Sequence, residues 1–155
     1  MAFEELAKDF LAQKRIAVVG ASSSKQATGN AIYKALRDRG YTVFPVHPSA
    51  EAIEGDSCYP ALQAIPGGVD GVFIVTRPDV TEHVVHDAVE ADVPRVWMHY
   101  NAMFGAQNSS VSKDAVAYGR EHGLTVIDGG CPMMFLDFGH KCMRWMLGMM
   151  GKLPN

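Results

Sequence analysis

The sequence predicts a doubly wound α/β fold, in which helices cover both faces of a parallel sheet of about five strands. Short apolar runs alternate with helical patterns along the whole chain, which is typical of repeated β-α-β units. The runs are continuously apolar, as in Val72 to Val75, which is expected when both faces of a strand are buried. The first run leads into a loop rich in glycine and serine, where sheets of this class bind ligands.

The predicted strands are rich in β-branched residues and cover 15–20, 41–46, 71–76, 93–99 and 124–128. An extra helix, at 3–11, precedes them. Ile32, Ala35 and Leu36 share one face of the helix between the first two strands. Gly40 follows that helix and suits the left-handed position that closes many helices.

The connections in the second half carry helix-start signals. Residues 48–69 are irregular, with one short helical stretch. Asp79 is predicted to cap the helix after the third strand, with Glu82 three positions on completing a capping box. The following helix is predicted to start at Ser109 or Ser110.

An extra helix is predicted to close the chain, from about 137 to 150. Its apolar face is rich in methionine and consists of Phe138, Cys142, Trp145, Met146, Met149 and Met150. Core packing explains such a face, and an adaptable contact with a second copy of the chain or with another protein is the alternative.

Length and composition predict one domain, 1–155, in the cytoplasm. The 155 residues include 14 basic and 17 acidic side chains, and a formal charge of −3 lacks the basic excess of nucleic-acid binders. The three cysteines cannot pair completely, which suits a reducing compartment. The acidic N-terminus is unlike a signal peptide, and no apolar stretch is long enough for a membrane span.

The loop after the first strand has the features of a phosphate site. Gly20 allows a tight turn, and Gly29 allows the next helix to approach closely. Ser22, Ser23 and Ser24 bring hydroxyls and backbone N–H groups, and the helix N-terminus brings partial positive charge. We therefore predict phosphate binding here, with a turn that holds no ligand as the alternative.

The loop lacks the common nucleotide motifs. It is not GxGxxG, since the first glycine after Gly20 is Gly29, and it has no GxxxxGK[ST] sequence. Residues 44–48, at the end of the second strand, lack the acid that usually binds the ribose of NAD and the arginine that suits NADP. These absences argue against an NAD(P)-binding oxidoreductase, which we keep as the alternative.

Six sequence motifs follow one another in a characteristic order. They are the GAS loop with its distal glycine, GYTVFPVHP, the stretch from Gly55 to YPAL (59–62), VDGVFIVTRP, VPRVWM and GGCP. With them, residues 13–134 resemble the small stand-alone CoA-binding proteins related to the N-terminal domain of the succinyl-CoA synthetase α subunit. The resemblance implies a Rossmann-like fold and coenzyme A or an acyl-CoA as the ligand.

The resemblance also implies which residues bind that ligand. The phosphates would lie on the loop, the nucleotide beside the second and third strands, and the thiol end near the GGCP turn. The implied contacts are Gly20, Ala21, Ser22, Ser23, Ser24, Gly29, Val46, His47, Pro48, Thr76, Arg77, Pro78 and Cys131. Lys25 and Arg77 follow strand ends and are the predicted cations for the diphosphate and the 3′-phosphate of CoA.

The resemblance favours a non-catalytic carrier, sensor or accessory module. The phosphohistidine of the synthetases belongs to a second domain, for which 155 residues leave no room. The chain also departs from its stand-alone relatives after Trp97. Many of those relatives have a glutamine and then a glycine after this tryptophan, whereas Met98 and His99 follow it here. The acyl preference is therefore not carried over.

No catalytic or metal-binding residue is assigned. A thiol-dependent enzyme that uses Cys131 on a CoA ester is the remaining alternative, and it requires a lowered thiol pKa. Cys131, His140 and Cys142 do not have the spacing of a zinc site. His83 and His86 share a helix face with acidic neighbours and are expected to face solvent.

Overall fold

A five-stranded parallel sheet lies at the centre of the computed structural model, which describes residues 2–24, 27–101, 106–136 and 145–151. The strands are β1 (Arg15–Val19), β2 (Thr42–Val46), β3 (Ala52–Ile53), β4 (Asp56–Ser57), β5 (Gly71–Ile74), β6 (Arg95–Met98) and β7 (Thr125–Asp128). The large sheet has the order β2-β1-β5-β6-β7, and β3 pairs with β4 as an antiparallel hairpin. The predicted doubly wound sheet is confirmed.

Helices cover both faces of this sheet. They are α1 (Phe3–Leu11), α2 (Thr28–Asp38), α3 (Pro78–Glu90), α4 (Lys113–Glu121) and α5 (Met133–Leu136). Single 3-10 turns occur at Leu62–Ala64 and Ala106–Asn108, and residues 145–149 are helical. The rest of the predicted closing helix lies outside the described residues.

Two hydrophobic cores result because side chains alternate along each strand. Ile16 and Val18 of β1 face a core shared with α1, α2 and α5. Ala17 and Val19 face a second core, which is shared with α3 and α4. Both faces of the central strands are thereby buried, which explains their continuous apolar runs, 16–19, 71–74 and 96–98.

The N-terminal helix packs on an aromatic cluster under the sheet. The ring centroids of Phe3 and Phe10 lie 6.1 and 5.4 Å from that of Trp97, in edge-to-face geometry. The Phe3 ring also lies against Gly130, where any side chain would overlap it. The Trp97 indole donates to the carbonyl of Gly129 at 2.8 Å. Through these contacts α1 supports the turn that follows β7.

Both predicted helix starts in the second half are wrong. Arg77, rather than Asp79, stands at the N-cap position of α3, with no capping bond from its side chain, and Pro78 occupies the first helical position, where its missing N–H costs nothing. The hydroxyl of Ser112 caps α4 by accepting from the N–H of Ala115 at 3.3 Å. That hydroxyl donates at 2.7 Å to Glu82, which was predicted to serve a capping box in α3.

The strand order reverses at β1, with β2 on one side and β5 on the other. In open α/β sheets, ligands bind beyond the carboxyl ends of the strands at this point. An isolated bridge from Val46 to Tyr59 extends the β2 side, and the hairpin of β3 and β4 lies in the intervening connection. The loop from Gly20 therefore lies at the position where a ligand is expected.

Candidate functional site

Two glycines fix the loop between β1 and α2. Gly20 has φ +116°, and an added Cβ would overlap the carbonyl of Val75, which directly follows β5. A Cβ at Gly29 would lie 2.8 Å from both the Ala21 nitrogen and the Gly20 carbonyl. The predicted tight turn and close helix approach are therefore both present, and neither position admits a side chain.

Asn30, in the first turn of α2, holds this loop and was not among the predicted site residues. Its side chain is buried. Its Oδ1 accepts from the Ser22 N–H at 2.8 Å, and its Nδ2 donates to the Ser22 carbonyl at 2.8 Å. The same Nδ2 donates to Oε1 of Glu54 at 2.8 Å. The amide thus closes a ring around the Ser22 backbone.

The loop's serines are partly engaged with one another. The hydroxyls of Ser22 and Ser24 lie 3.2 Å apart, and the Ser24 N–H donates to the Ser22 hydroxyl at 3.3 Å. Two of the backbone donors predicted for a phosphate, those of Ser22 and Ser24, therefore already have partners in the protein. Ser23 and Ser24 are exposed, and Lys25 lies outside the described residues.

The partial positive charge at the N-terminus of α2 is not neutralised by an acidic side chain of its first turn. Its cap, Ala27, has no side-chain acceptor, and no acidic residue occurs in the first turn. The first N–H groups of a helix lack partners within the helix and favour a nearby anion. A phosphate beside Thr28 would satisfy them.

The end of β2 provides a shaped wall. Val46 is buried, His47 is half-buried and Pro48 is exposed. Nδ1 of His47 accepts from the N–H groups of Ser49 and Ala50 at 3.1 and 3.0 Å, which fixes the ring and leaves its Nε2 edge for other contacts. The His47 N–H also donates to the carbonyl of Tyr59 at 2.9 Å.

The end of β5 is ordered by hydroxyl groups. The Thr81 hydroxyl donates to the Arg77 carbonyl at 3.1 Å, and the Thr76 hydroxyl lies 2.9 Å from that of Thr81. The Arg77 guanidinium is exposed and pairs with Asp79 at 3.0 Å. Because exposed ion pairs are weak, this guanidinium can exchange Asp79 for a phosphate.

Two adjoining cavities follow the carboxyl edge of the sheet, with volumes of about 360 and 410 Å³. Thr28, His99 and Asn108 line both of them. The first also touches Ala31, Ile32, Asn101, Cys131 and Met133, and the second also touches Val75, Thr76, Arg77, Pro78, Gln107, Ser109 and Ser110. The structure therefore brings the predicted Thr76, Arg77, Pro78 and Cys131 to one groove, whereas the predicted residues 20–24, Gly29 and 46–48 line neither cavity.

Sequence reasoning did not assign Thr28, His99 or Asn108 to the site. Thr28 opens α2, and His99 directly follows β6, so their positions at the carboxyl edge were available signals. Asn108 belongs to a loop whose path is not encoded by any local pattern. Its placement depends on the Ser110 N–H, which donates to the carbonyl of His99 at 2.7 Å.

The imidazole of His99 is buried in the wall between the cavities. Burial lowers its pKa below 6.5, while the backbone carbonyl of Asn108 acts in the opposite direction by accepting from the ring. Among the described residues, Nδ1 of His99 has no hydrogen-bond partner. The ring is therefore neutral near pH 7, with one nitrogen as donor and the other as a potential acceptor.

Cys131 is not an activated thiol. It is buried beside the first cavity, and burial raises its pKa to about 11, against a small opposing effect of the Met133 backbone. A thiol with this pKa is protonated near neutral pH, and a protonated thiol is a poor nucleophile. This environment weighs against the thiol-dependent enzyme.

The described residues contain no group of three His, Cys, Asp or Glu side chains able to hold a metal ion. His140 and Cys142 lie outside them. His83 and His86 are exposed on α3, as predicted. Within the part of the chain that the structure describes, no helix is long and apolar enough to cross a membrane.

Comparison with protein families and sequences shows what the chain is similar to. A family model described as a CoA binding domain matches residues 14–137. The uncharacterised protein YneT of Bacillus subtilis is 33% identical over 118 residues, which is 76% of this chain and 82% of YneT. The ADP-forming acetate–CoA ligase I of Archaeoglobus fulgidus is 30% identical over 121 residues, which is 76% of this chain and 18% of the ligase.

Solved structures share the fold. A hypothetical protein from Pyrococcus horikoshii superposes with a TM-score of 0.76 at 28% identity, covering 88% of this chain and 92% of that one. The apo form of the dinucleotide-forming acetyl-coenzyme A synthetase 1 of Ca. Korarchaeum cryptofilum gives 0.62 at 28% identity, covering 73% of this chain and 25% of the synthetase. The chain thus spans only a part of the ligase and of the synthetase.

Proposed function

The chain belongs to the family of CoA binding domains, and we propose that it binds coenzyme A or an acyl-CoA along the carboxyl edge of its sheet. One observation carries the proposal. Thr28, which begins α2 after the glycine-closed loop at the point of strand reversal, lines two adjoining cavities of about 360 and 410 Å³. Each cavity lies within the range of ~300–1,000 Å³ that is usual for small-molecule sites.

The proposed orientation of the ligand follows the charges of the groove. The diphosphate would lie at loop 20–24 and the N-terminus of α2, with Lys25 as a further candidate cation. The nucleotide would lie along 46–48 and 76–78. The exposed Arg77 would bind the 3′-phosphate. The pantetheine arm would follow the two cavities towards Cys131, where the lining is largely apolar.

We propose a binding role without catalysis, as a carrier, sensor or accessory module. The high pKa of the Cys131 thiol supports this role, because that thiol would not attack a CoA ester. The matched part of the Archaeoglobus ligase is 18% of its length, so the ligase activity of that relative is not carried over. Cys58 and Cys131 are free thiols, which suits a cytoplasmic protein.

Thermal shift measurements with CoA, acetyl-CoA, dephospho-CoA, NAD and NADP test the proposal, after native mass spectrometry has shown what co-purifies. A ligand at a hundredfold excess over its Kd stabilises the folded state by ~2.7 kcal/mol. We expect CoA or acetyl-CoA to raise the melting temperature and the dinucleotides to leave it unchanged. A shift with NAD and none with CoA would overturn the proposal in favour of the oxidoreductase alternative.

Paired arginine variants locate the 3′-phosphate in the same assay. Arg77→Ala is expected to weaken CoA binding by about tenfold, roughly the effect of one charge-assisted contact. It should leave dephospho-CoA binding unchanged. Arg120→Ala is the control, since Arg120 is also an exposed arginine in an ion pair, with Asp128 at 3.4 Å. Equal losses for CoA and dephospho-CoA would show that Arg77 does not bind the 3′-phosphate.

A further inference from the structure

We propose that Glu54 is a positioning residue for the phosphate loop and acts on it through Asn30. The inference rests on the proposed function, because loop 20–24 is the proposed site of the diphosphate. Glu54 belongs to the turn of the hairpin formed by β3 and β4 and is distant in sequence from the loop. No feature of the sequence predicted a role for it.

A chain of hydrogen bonds runs from the carboxylate to the loop backbone. Oε1 of Glu54 accepts from Nδ2 of Asn30 at 2.8 Å. Asn30 in turn holds both the N–H and the carbonyl of Ser22 at 2.8 Å. Asn30 is only 1% exposed, so solvent has little access to its amide. The Asn30 amide nitrogen thus has two acceptors, the Ser22 carbonyl and the Glu54 carboxylate.

Asn30 and Glu54 together form a clamp on the Ser22 backbone. The Glu54 carboxylate fixes the orientation of the Asn30 amide, because an ionised carboxylate only accepts hydrogen bonds. It therefore selects the NH₂ end of the Asn30 amide, and Oδ1 is left to face the Ser22 N–H. A hydrogen bond to a charged acceptor is also stronger than one between neutral groups. Loss of Glu54 would leave a buried donor of Asn30 without this partner and would weaken its hold on Ser22.

The backbone of Glu54 is held in an unfavourable conformation. Its φ is +52°, and Asp92, at +55°, is the other non-glycine residue with positive φ among those described. Such conformations persist where the surroundings enforce them. Arg37 donates to the Glu54 carbonyl at 2.9 Å, and the Lys34 ammonium lies 3.9 Å from the second carboxylate oxygen. Asn30, Lys34 and Arg37 thus hold the turn from one face of α2.

The clamp orders the loop before a ligand arrives. A loop that is already fixed loses less conformational entropy on binding than a flexible loop, which improves affinity without a new contact. Glu54 itself is expected to stay with Asn30 and Lys34 and to make no contact with the ligand. Its effect on affinity would therefore be indirect.

Glu54→Gly separates the role of the carboxylate from the stability of the turn. Glycine adopts positive φ without strain, so relief of strain offsets the lost contacts and the melting temperature should stay within about 4 °C of the wild type. We expect the Kd for CoA to rise about tenfold, equivalent to about 1.4 kcal/mol. Amide exchange at Ser22, followed by NMR, should become faster while exchange in β6 is unchanged.

Two further variants complete the test. Asp92→Gly relieves the same kind of strain after α3, away from the groove, and should leave the affinity for CoA unchanged. Glu54→Gln keeps an acceptor oxygen and should restore most of the affinity and the slow exchange at Ser22. A Glu54→Gly protein with wild-type affinity and wild-type exchange at Ser22 would overturn the inference, as would tighter binding caused by removal of a negative charge.

The two proposals fail in different ways. If the wild-type protein binds no CoA, the proposed function is wrong. Exchange at Ser22 in the unliganded variants still decides whether Glu54 positions the loop. If the wild type binds CoA but exchange at Ser22 is the same in all variants, only the positioning role is wrong.

Discussion

The imidazole of His99 makes stability depend on pH in a defined direction. Its pKa lies below 6.5 in the folded protein because burial disfavours the charged ring, whereas the unfolded chain titrates near 6.5. Between these two values the unfolded state binds more protons than the folded state, so acid favours unfolding. The contribution of His99 is fully present above pH 6.5 and is lost as the pH falls through the folded pKa.

Urea titrations of the wild type and of His99→Gln between pH 4.5 and 7.5 measure this effect. We expect the difference in unfolding free energy between the two proteins to depend on pH, with the wild type losing more stability on acidification. Each comparison at one pH cancels the carboxylates and the exposed histidines common to both proteins. Parallel curves for the two proteins would contradict a lowered pKa for His99.

The Cys131 thiol is expected to resist alkylation in the folded protein. Its pKa of about 11 leaves little thiolate at pH 8, and its side chain is buried. Iodoacetamide labelling with peptide mass spectrometry should modify Cys131 only after unfolding in urea. Cys131→Ser should keep its affinity for CoA. Rapid labelling of the folded protein, or a mixed disulfide between Cys131 and CoA, would support the thiol-dependent alternative instead.

At the level of elements, substitution of a glycine between α2 and the loop tests whether CoA binding depends on the position of the loop backbone. A Cβ at Gly29 would lie 2.8 Å from loop backbone atoms, whereas a Cβ at Gly119 of α4 would lie 2.9 Å from a methyl of Val126. Gly29→Ala and Gly119→Ala should each cost about 1–3 kcal/mol of stability, as overpacking usually does.

Of these two substitutions, only Gly29→Ala should change the affinity for CoA. Gly29→Ala displaces the Gly20–Ala21 backbone, so we expect CoA affinity to fall by at least about tenfold. Gly119→Ala should bind CoA like the wild type, because a side-chain methyl of Val126 can move without shifting the groove. Calorimetry on both variants measures this, and equal affinities would contradict the proposed location of the diphosphate.

The strands could be predicted element by element, because the central strands are buried on both faces and therefore carry continuous apolar runs. The two-residue strands β3 and β4 escaped prediction because they are too short to show any period. The starts of α3 and α4 were misplaced since several residues near each start can cap, and tertiary contacts such as that of Ser112 with Glu82 select one.

Within the candidate site, the features that depend on local sequence could be predicted, whereas those that depend on distant contacts could not. The glycines of the loop reveal their role locally, because a turn and a close helix approach require them. The clamp by Asn30 and Glu54 joins residues separated by 24 positions, and no local pattern encodes such a contact. His99 could be noticed in the sequence as a departure from the family pattern, but its burial could not be predicted, since it depends on packing across several elements.

At the scale of the whole molecule, the closing helix leaves apolar surface exposed. Trp145 is 68% and Met149 71% exposed, whereas Leu147 of the same segment is buried. Methionine-rich surfaces adapt to partners, and a contact with a second copy through this helix stays a prediction. Such a contact would cover Trp145.

Iodide quenching of tryptophan fluorescence tests that contact. Trp97 is fully buried and should not be quenched, so the quenched signal should come from Trp145 and disappear in Trp145→Phe. We expect quenching to decrease at high protein concentration as the mass from sedimentation doubles. Met149→Glu should abolish both changes. A monomeric mass with quenching that does not depend on concentration would contradict the dimer.

The packing of α1 has a consequence for the order in which the chain matures during synthesis. Phe3 and Phe10 are synthesised well before their partners Trp97 and Gly130. At ~5–20 residues per second, roughly 10 s pass before these partners exist. During that interval the aromatic face of α1 is available to chaperones. In amide-protection measurements on nascent chains, α1 should therefore become protected only after Gly130 has been synthesised.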